Sequence, residues 1–430
     1  MYMQIEEAKK ALDKELTLRG WVYRERGSSK MKFIVLRDST GIIQCVFEKS
    51  SLGEELFAKI KPIQVETSLE VTGTVKKDER APGGYELFAT GFTIVGGSDT
   101  FPITKDQSPE FLLDKRHLWL RSRKMQAILK IRSTILFSIH EFYRKKGFYE
   151  FHSPIFQATQ CEGGSDLFPV KYFDDEVFLA QTWQLYAEAG IFSLEKIYAV
   201  APSFRAERSK TSRHLTEYWH AEMEAAWMSF SEMIDVGEEA IKHIVSTVLE
   251  KHPEELKLLE RDIEKLKPVL SERFVRMTYD EALKILKEKC GMLLEWGKDL
   301  RTIEEEKLTR LYDVPVVVTH YPKAVKAFYM QEDEKNPEVV LGCDFLAPEG
   351  YGEIIGGSQR EKDIENIRRR LKEQGEDPED YEYYLDTRRY GSVPHSGYGM
   401  GVERVITWIC GLDNIKDSIP FPRTMLRCRP

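Results

Sequence analysis

No apolar run in the chain approaches the roughly 20 residues that a membrane-crossing helix needs, so no membrane partner is expected. The first ten residues, Met1 to Lys10, carry charges early and no small-residue cleavage site behind an apolar core, which argues against a secretory leader and for a cytoplasmic protein. The six cysteines (Cys45, Cys161, Cys290, Cys343, Cys410 and Cys428) form no C-x-x-C pair and no Cys/His cluster. A disulfide framework and a structural zinc site are therefore disfavoured. The P-loop pattern G-x-x-x-x-G-K-[ST] is missing, and the glycine-rich stretches lack the dinucleotide spacing G-x-G-x-x-G after a strand, against P-loop and Rossmann readings. There is no internal repeat and no low-complexity tract.

An excess of basic charge is missing too: 63 Lys and Arg face 71 Asp and Glu, a net charge of -8. Taken whole, that disfavours a nucleic-acid partner, because phosphate binding rests on Lys and Arg. The first hundred residues, however, carry 15 basic and 15 acidic side chains. The negative excess therefore lies entirely beyond them.

What remains is globular. The 430 residues are 42% hydrophobic and 11% aromatic, enough for two or three domains with buried cores. Five β-type runs, 16–23, 32–37, 42–47, 68–75 and 85–95, are separated by turn chemistry, with a short helical pattern at 53–60 between the third and fourth. That order is the order of the OB-fold, a small barrel that binds single-stranded nucleic acid, and a plain β-barrel or sandwich fits the same pattern. Residues 1–100 are assigned to this domain and 101–124 to a linker. A catalytic α+β domain, an antiparallel sheet flanked by helices, is expected over 125–430. It starts with a helix whose stripe Ile128, Ile131, Ile135, Phe142 and Tyr143 faces the core. The charged segments 231–272 and 362–374 read as solvated insertion or surface helices.

Four segments concentrate residue types that packing does not require. Phe204-Arg205-Ala206-Glu207, with Arg213-His214-Leu215 across a polar loop and Tyr218 beyond, can form a polyphosphate clamp, because guanidinium forks bind phosphate oxygens bidentately; a surface loop with incidental charge reads equally well. Gly397-Tyr398-Gly399-Met400-Gly401-Val402-Glu403-Arg404 runs into an apolar helix, where glycines allow close approach of a ligand to the backbone. Glu349 and Glu353, four apart in a presumed strand, would share a face and hold Mg2+, with Arg360 nearby for a polar substrate group. Cys161-Glu162-Gly163-Gly164-Ser165 and Gln181-Thr182-Trp183-Gln184-Leu185-Tyr186 supply a polar loop and corner within an apolar stretch.

Phe204-Arg-Ala-Glu with Arg213-His214, Gly399-x-Gly-x-Glu-Arg404 and the Pro154-containing element after the first helix resemble motifs 2, 3 and 1 of class II aminoacyl-tRNA synthetases. With the barrel, the chain resembles their aspartyl/asparaginyl subgroup, most like its archaeal-type asparaginyl branch. The resemblance implies ATP-dependent activation of L-asparagine and its transfer to the 3′ end of tRNA-Asn by a homodimer. Arg205 would hold the α-phosphate and Arg213 and His214 the distal phosphates. Adenine would lie between Tyr218, where the family usually has Phe, and Arg404. Glu207, Leu215, Gly401 and Glu403 complete the ATP site, and Glu353 would hold Mg2+. Arg205, Glu353 and Arg404 are thus the expected catalytic residues. Aspartyl relatives offer a serine at the place of Gly356.

Amino-acid contacts are expected from Glu162, Gln184, Glu222 and Arg360. Aspartyl relatives carry a lysine where Ala187 stands and an aspartate where Glu222 stands. Losing the lysine while keeping Arg360 as donor and Glu222 as acceptor lowers the pocket charge and favours a neutral carboxamide over a carboxylate. In the barrel, Phe33, Gln44, Arg26 and Glu79, with Arg24, are the expected anticodon contacts. The alternatives are an aspartyl-tRNA synthetase, possibly non-discriminating, asparagine synthesis on a synthetase-like core, and a non-catalytic RNA-binding paralogue.

Overall fold

A computed structural model describes residues 2–161, 167–208 and 211–429. Contacts divide the chain into two compact units, Met1–Lys115 and Arg116–Pro430. In the first unit, β1 (Glu15–Gly27), β2 (Met31–Arg37), β3 (Ile42–Glu48), β4 (Ser68–Lys77) and β5 (Tyr85–Gly96) close into a barrel in the order β1-β2-β3-β5-β4. Helix α1 (Glu54–Ile60) lies between β3 and β4 in the chain. Alternation builds the core: Leu69, Val71 and Val75 on β4 are buried while Glu70, Thr72 and Thr74 between them are not. Ile34, Leu36, Ile43, Cys45 and Phe47 supply the opposite wall.

The second unit is built on β6 (Tyr149–Glu150), β7 (Lys196–Phe204), β8 (Glu217–Ala226), β9 (Val275–Thr278), β10 (Val316–Thr319), β11 (Gly342–Ala347), β12 (Gly352–Gln359) and β13 (His395–Gly401). They form one sheet in the order β9-β10-β11-β12-β13-β8-β7-β6. The central pairs are antiparallel, and only the edge pairs β9/β10 and β7/β6 run parallel. The helices used below are α2 (Arg123–Lys145), α3 (Gln184–Leu194), α4 (Phe230–Lys251), α5 (Thr302–Thr309), α6 (Glu382–Arg389) and α7 (Val402–Cys410). Helix α2 is capped by Ser122, whose side chain accepts from the Met125 amide, and it buries the expected stripe.

Three expectations are corrected here. Helix α4 is no solvated insertion: Ser229 and Glu232 form a capping box, and Met233, Ile234, Ile241, Ile244, Val245 and Val248 join the main core with α2 and α7. Its charges lie on the outer face except Glu238, which is buried and paired with Lys242 (2.8 Å) and Arg276 (3.1 Å), and charge density hid the apolar stripe. The helix at Ile364–Glu373 likewise buries Ile367 and Leu371, and its buried Arg370 donates to the carbonyls of Met330 (2.6 Å) and Lys326 (3.0 Å). The second unit also begins ahead of Met125. Arg116 is 1% exposed and donates to the carbonyls of Lys416, Ile419 and Pro420 at 2.7–2.8 Å, which ties it into that unit. No helix among the described residues is long and apolar enough to cross a membrane.

Candidate active site

Strand β8 carries His220, Glu222 and Glu224 at i, i+2 and i+4, so all three side chains leave one face of the sheet. The neighbouring strand β13 places glycines on that face: Gly401 opposite His220, Gly399 opposite Glu222 and Gly397 opposite Glu224. A Cβ on Gly399 would fall 2.3 Å from His220 Nε2, and one on Gly397 would fall 2.0 Å from Glu224 Oε2. These two glycines therefore make room for the polar side chains of β8, not only for a ligand.

Two cavities open on this face. The larger, about 580 Å³, is lined by Gln184, Glu222, Glu224, Asp344, Lys326 and Arg360 among others. The smaller, about 60 Å³, gathers Arg205, Arg213, His214, Leu215, Tyr218, Glu353, Gly401, Glu403 and Arg404. Every expected ATP residue except Glu207 thus lines one cavity. Arg205, His220, Glu353 and Gly399 line both, so the cavities share a wall.

The clamp is built by the β7–β8 hairpin. Arg205, just past β7, donates its amide to Thr216 O (3.0 Å), and its guanidinium carbon lies 5.8 Å from the centre of the Tyr218 ring. His214 Nε2 lies 3.8 Å from Glu207 Oε2, which ties Glu207 to the clamp. Burial, and then the charge of Arg404, lower the His214 pKa. Arg213 donates to Gly350 O and lies 3.5 Å from Glu305. Arg404, in the first turn of α7, donates to both Glu353 O (3.0 Å) and Glu353 Oε2 (2.9 Å). Glu403 faces the other way: it is 1% exposed, pairs with Arg132 at 2.6 Å and accepts from the Trp219 amide at 2.9 Å. Its carboxylate braces the floor of the clamp.

The expected Glu349/Glu353 pair does not form. Glu349 sits ahead of β12 in a turn with φ of +62°, and its carboxylate pairs with Arg261 at 2.5–2.9 Å. Residues 349–351 are turn and not strand, so the spacing of four does not place the two side chains on one face. Among the carboxylates that line the larger cavity with Glu353, Asp344 of β11 and Glu305 of α5 are the two whose ionisation its charge opposes. Asp344 pairs with Lys326 at 2.9 Å, and Glu305 accepts from the Glu353 amide at 3.3 Å. Burial opposes charge on all three. Arg404 above all, then Lys326 and Arg205, hold Glu353 down to about 2, whereas burial pushes Asp344 up to about 6 and Glu305 to about 7. A Cβ on Gly356 would come 3.1 Å from Glu353 Oε1 and 3.5 Å from Asp344 Oδ1, so position 356 faces the space between these carboxylates. Hard carboxylate oxygens are the donor type that Mg2+ takes, and the set fits that ion.

In the larger cavity, Arg360 forks onto Glu224 (2.8–3.3 Å), donates to Ser358 Oγ (2.8 Å) and lies 5.1 Å from the Tyr329 ring centre. Glu222 accepts from Thr182 Oγ1 and from the Trp183 amide (3.0 Å), and lies 3.4 Å from His220 Nδ1. Glu162 lies outside the described residues. Ala187 is fully buried among Trp183, Ile191, Ile197 and Ala199, so it packs the core and does not line the cavity. Sequence reasoning missed Glu224, His220, Asp344 and Lys326. The alternation His220-x-Glu222-x-Glu224 inside an apolar strand was the available signal for the first two.

On the barrel, register pairs Arg26 with Phe33 and Val35 with Gln44. Arg26 lies over the Phe33 ring (5.0 Å) and 3.4 Å from Gln44 Oε1, while Gln44 donates to Glu86 (2.6 Å). Gln44 is only 3% exposed, beneath this group. Glu79, on the β4–β5 connection, is exposed and pairs with Lys77 at 3.0 Å.

An antiparallel sheet with a guanidinium clamp at one end of its face, a carboxylate–guanidinium pocket beside it and a separate five-stranded barrel defines a class II synthetase. The comparisons agree in detail: residues 108–425 match the tRNA synthetases class II (D, K and N), and residues 16–95 match the OB-fold nucleic acid binding domain. The chain belongs to the class II tRNA synthetases of the D, K and N group. It is 49% identical over 416 residues to the asparagine--tRNA ligase of Thermoplasma acidophilum and 50% identical over 418 residues to that of Thermococcus kodakarensis. In both cases 97% of this chain and 96% of the relative are covered. It superposes with a TM-score of 0.96, at 47% identity, on asparaginyl-tRNA synthetase from Pyrococcus horikoshii complexed with asparaginyl-adenylate, covering 100% of this chain and 99% of that one.

Proposed function

We propose that the protein is an asparagine--tRNA ligase, which activates L-asparagine with ATP and transfers it to the 3′ end of tRNA-Asn. The observation that carries the choice of amino acid is the pairing of Arg360 with Glu224 on the pocket floor, beside the second carboxylate of Glu222. A carboxamide offers an NH₂ to a carboxylate and a carbonyl to a guanidinium, so it satisfies this floor. A carboxylate side chain would face two negative groups with the one guanidinium already engaged.

ATP sits in the clamp, with its base between Tyr218 and Arg404, its α-phosphate at Arg205 and its distal phosphates at Arg213 and His214. Gln184 and Glu162 hold the α-ammonium of asparagine. The asparagine carboxylate attacks the α-phosphorus in line and pyrophosphate leaves, while Arg205 neutralises charge that grows on the phosphoryl oxygens. Mg2+ held by Glu353, with Asp344 beside it, would add charge neutralisation at the phosphates. In the second step the terminal ribose 3′-hydroxyl of tRNA attacks the mixed anhydride and displaces AMP. Phe33 stacks an unstacked anticodon base over the Arg26–Gln44 pair, with Arg24 and Glu79 nearby. The enzyme works as a cytoplasmic homodimer.

ATP–pyrophosphate exchange with Mg2+, comparing asparagine with aspartate, tests the reading. Exchange should favour asparagine by at least ~100-fold, about 2.7 kcal/mol. Preference for aspartate would move the protein to the aspartyl branch, and exchange with neither would leave a non-catalytic RNA-binding protein.

A further inference from the structure

Behind the pocket floor lies a fully buried carboxylate that the reaction above does not use. Glu188, on α3, is 0% exposed and does not line the cavity. Its Oε1 accepts from Gln184 Nε2 at 2.9 Å and lies 3.9 Å from Arg360 Nε. Its Oε2 accepts from Tyr384 OH at 2.9 Å and from Arg388 of α6, and it lies 2.9 Å from His395 Nε2. Glu188, Glu224 and His395 approach within 4.8 Å of one another, as a ligand set would, but Arg360 and Arg388 already supply the cations between them.

We propose that Glu188 is a positioning residue for asparagine selection. It acts through Gln184 on one side and Arg360 on the other. This rests on the asparaginyl reading of the pocket.

The first action follows from donor and acceptor types. An ionised carboxylate only accepts, so Glu188 fixes the Gln184 amide with its NH₂ turned inward and its carbonyl oxygen left for the cavity. That oxygen is the group an α-ammonium needs. The second action is charge. Arg360 is flanked by Glu224 on one side and Glu188 on the other, while Arg388 balances Glu188 from behind. With both carboxylates in place, the floor has no uncommitted positive charge to offer an aspartate side chain. Removing the charge of Glu188 leaves Glu224 as the one carboxylate paired with Arg360, takes from Arg388 its carboxylate partner and lowers the negative charge of the floor around Glu222, a shift toward the balance a substrate carboxylate would exploit.

The test is pyrophosphate exchange with the full-length protein, with asparagine and aspartate each varied against the wild type. Wild-type exchange with asparagine establishes the parent reading, so failure there is separate from failure of the variants. E188Q keeps the volume and removes the charge. It should raise the KM for asparagine by ~10-fold or more, leave kcat and the KM for ATP within about 3-fold, and move the aspartate-to-asparagine ratio of kcat/KM toward aspartate by at least ~10-fold. E188D, which keeps the charge but shortens the reach, should raise the asparagine KM without moving that ratio. If E188Q does not fold, the double variant E188Q/R388Q removes the pair together, a change that buried ion pairs tolerate better than loss of one partner. It should bind asparagine ~10-fold more weakly with the wild-type ratio. An asparagine KM within about 2-fold of wild type in E188Q or in the double variant, or an unchanged ratio in folded E188Q, overturns the proposal.

Discussion

Gly397→Ala tests how the floor of the pocket is made. The new Cβ would stand 2.0 Å from Glu224 Oε2 and 2.4 Å from the backbone oxygen of Met223 on the adjacent strand. The carboxylate could rotate away, but the Met223 oxygen is backbone, so β8 and β13 must separate by about 1 Å to reach ordinary van der Waals distance. Either adjustment pulls Glu224 from Arg360, and breaking a buried ion pair costs about 3–5 kcal/mol. The lost flexibility of the unfolded chain returns about 0.4–1 kcal/mol. The net loss is about 2–4.6 kcal/mol, and at roughly 2–4 °C per kcal/mol the melting temperature should fall by about 4–18 °C. Asparagine-dependent exchange should fall with it, because the amide acceptor and the guanidinium lose their common geometry. Gly97→Ala is the control, since a Cβ there meets nothing within 4 Å and the backbone is unstrained. Calorimetry and exchange on both variants decide the matter. A Gly397→Ala protein that melts within about 1 °C of wild type and keeps its asparagine KM would refute the account of β13 as a strand shaped around Glu224.

Ile241→Ala, in the face of α4 that packs into the core, should cost about 2–5 kcal/mol by denaturant unfolding and leave the asparagine KM unchanged, whereas a solvated helix would lose almost nothing. Phe33→Ala should weaken tRNA in aminoacylation by about 1–3 kcal/mol, roughly 5- to 150-fold in KM, with pyrophosphate exchange in the absence of tRNA untouched. Glu188 adds a pH signature. Although burial opposes its charge, Arg388 foremost, with His395 and Arg360, holds its pKa below the ordinary 4.5. A carboxylate whose folded pKa is depressed contributes stability above the unfolded value and loses it as pH falls toward the folded one. The gap in melting temperature between wild type and E188Q should therefore be full at pH 7 and shrink on acidification below about pH 4.5; a gap that widened there would contradict the ion pairing.

The barrel was legible because its information is local. Alternation along 68–75, turn residues between runs and one short helix specify five strands without reference to anything distant, and the observed boundaries fall within a few residues of the expected ones. Helix α4 was misread for the opposite reason. Its stripe Met233, Ile234, Ile241, Ile244, Val245 and Val248 is diluted by Glu232, Asp235, Glu239, Lys242 and His243 on the remaining face and by the buried, paired Glu238, and a charge count over the segment averages the faces together. Reading the period separates what counting merges.

The site divides along the same line. Arg205, Arg213, His214 and Arg404 sit in short motifs whose spacing survives in the sequence, and they converge on one small cavity. The Glu349/Glu353 pair failed because a spacing of four means one face only if the strand begins early enough, and the left-handed turn at Glu349 starts it too late. Asp344 meets Lys326, and Glu188 meets Arg388, from separate stretches of chain, the second pair through the packing of α3 against α6. No spacing rule links residues 188, 224, 360 and 388, because each pair is joined by a different tertiary contact. Charge neutrality of a buried cluster is a property of the assembled set. On the proposed role of Glu188, discrimination between a carboxamide and a carboxylate rests on the net charge behind the floor as well as on the groups that touch the substrate.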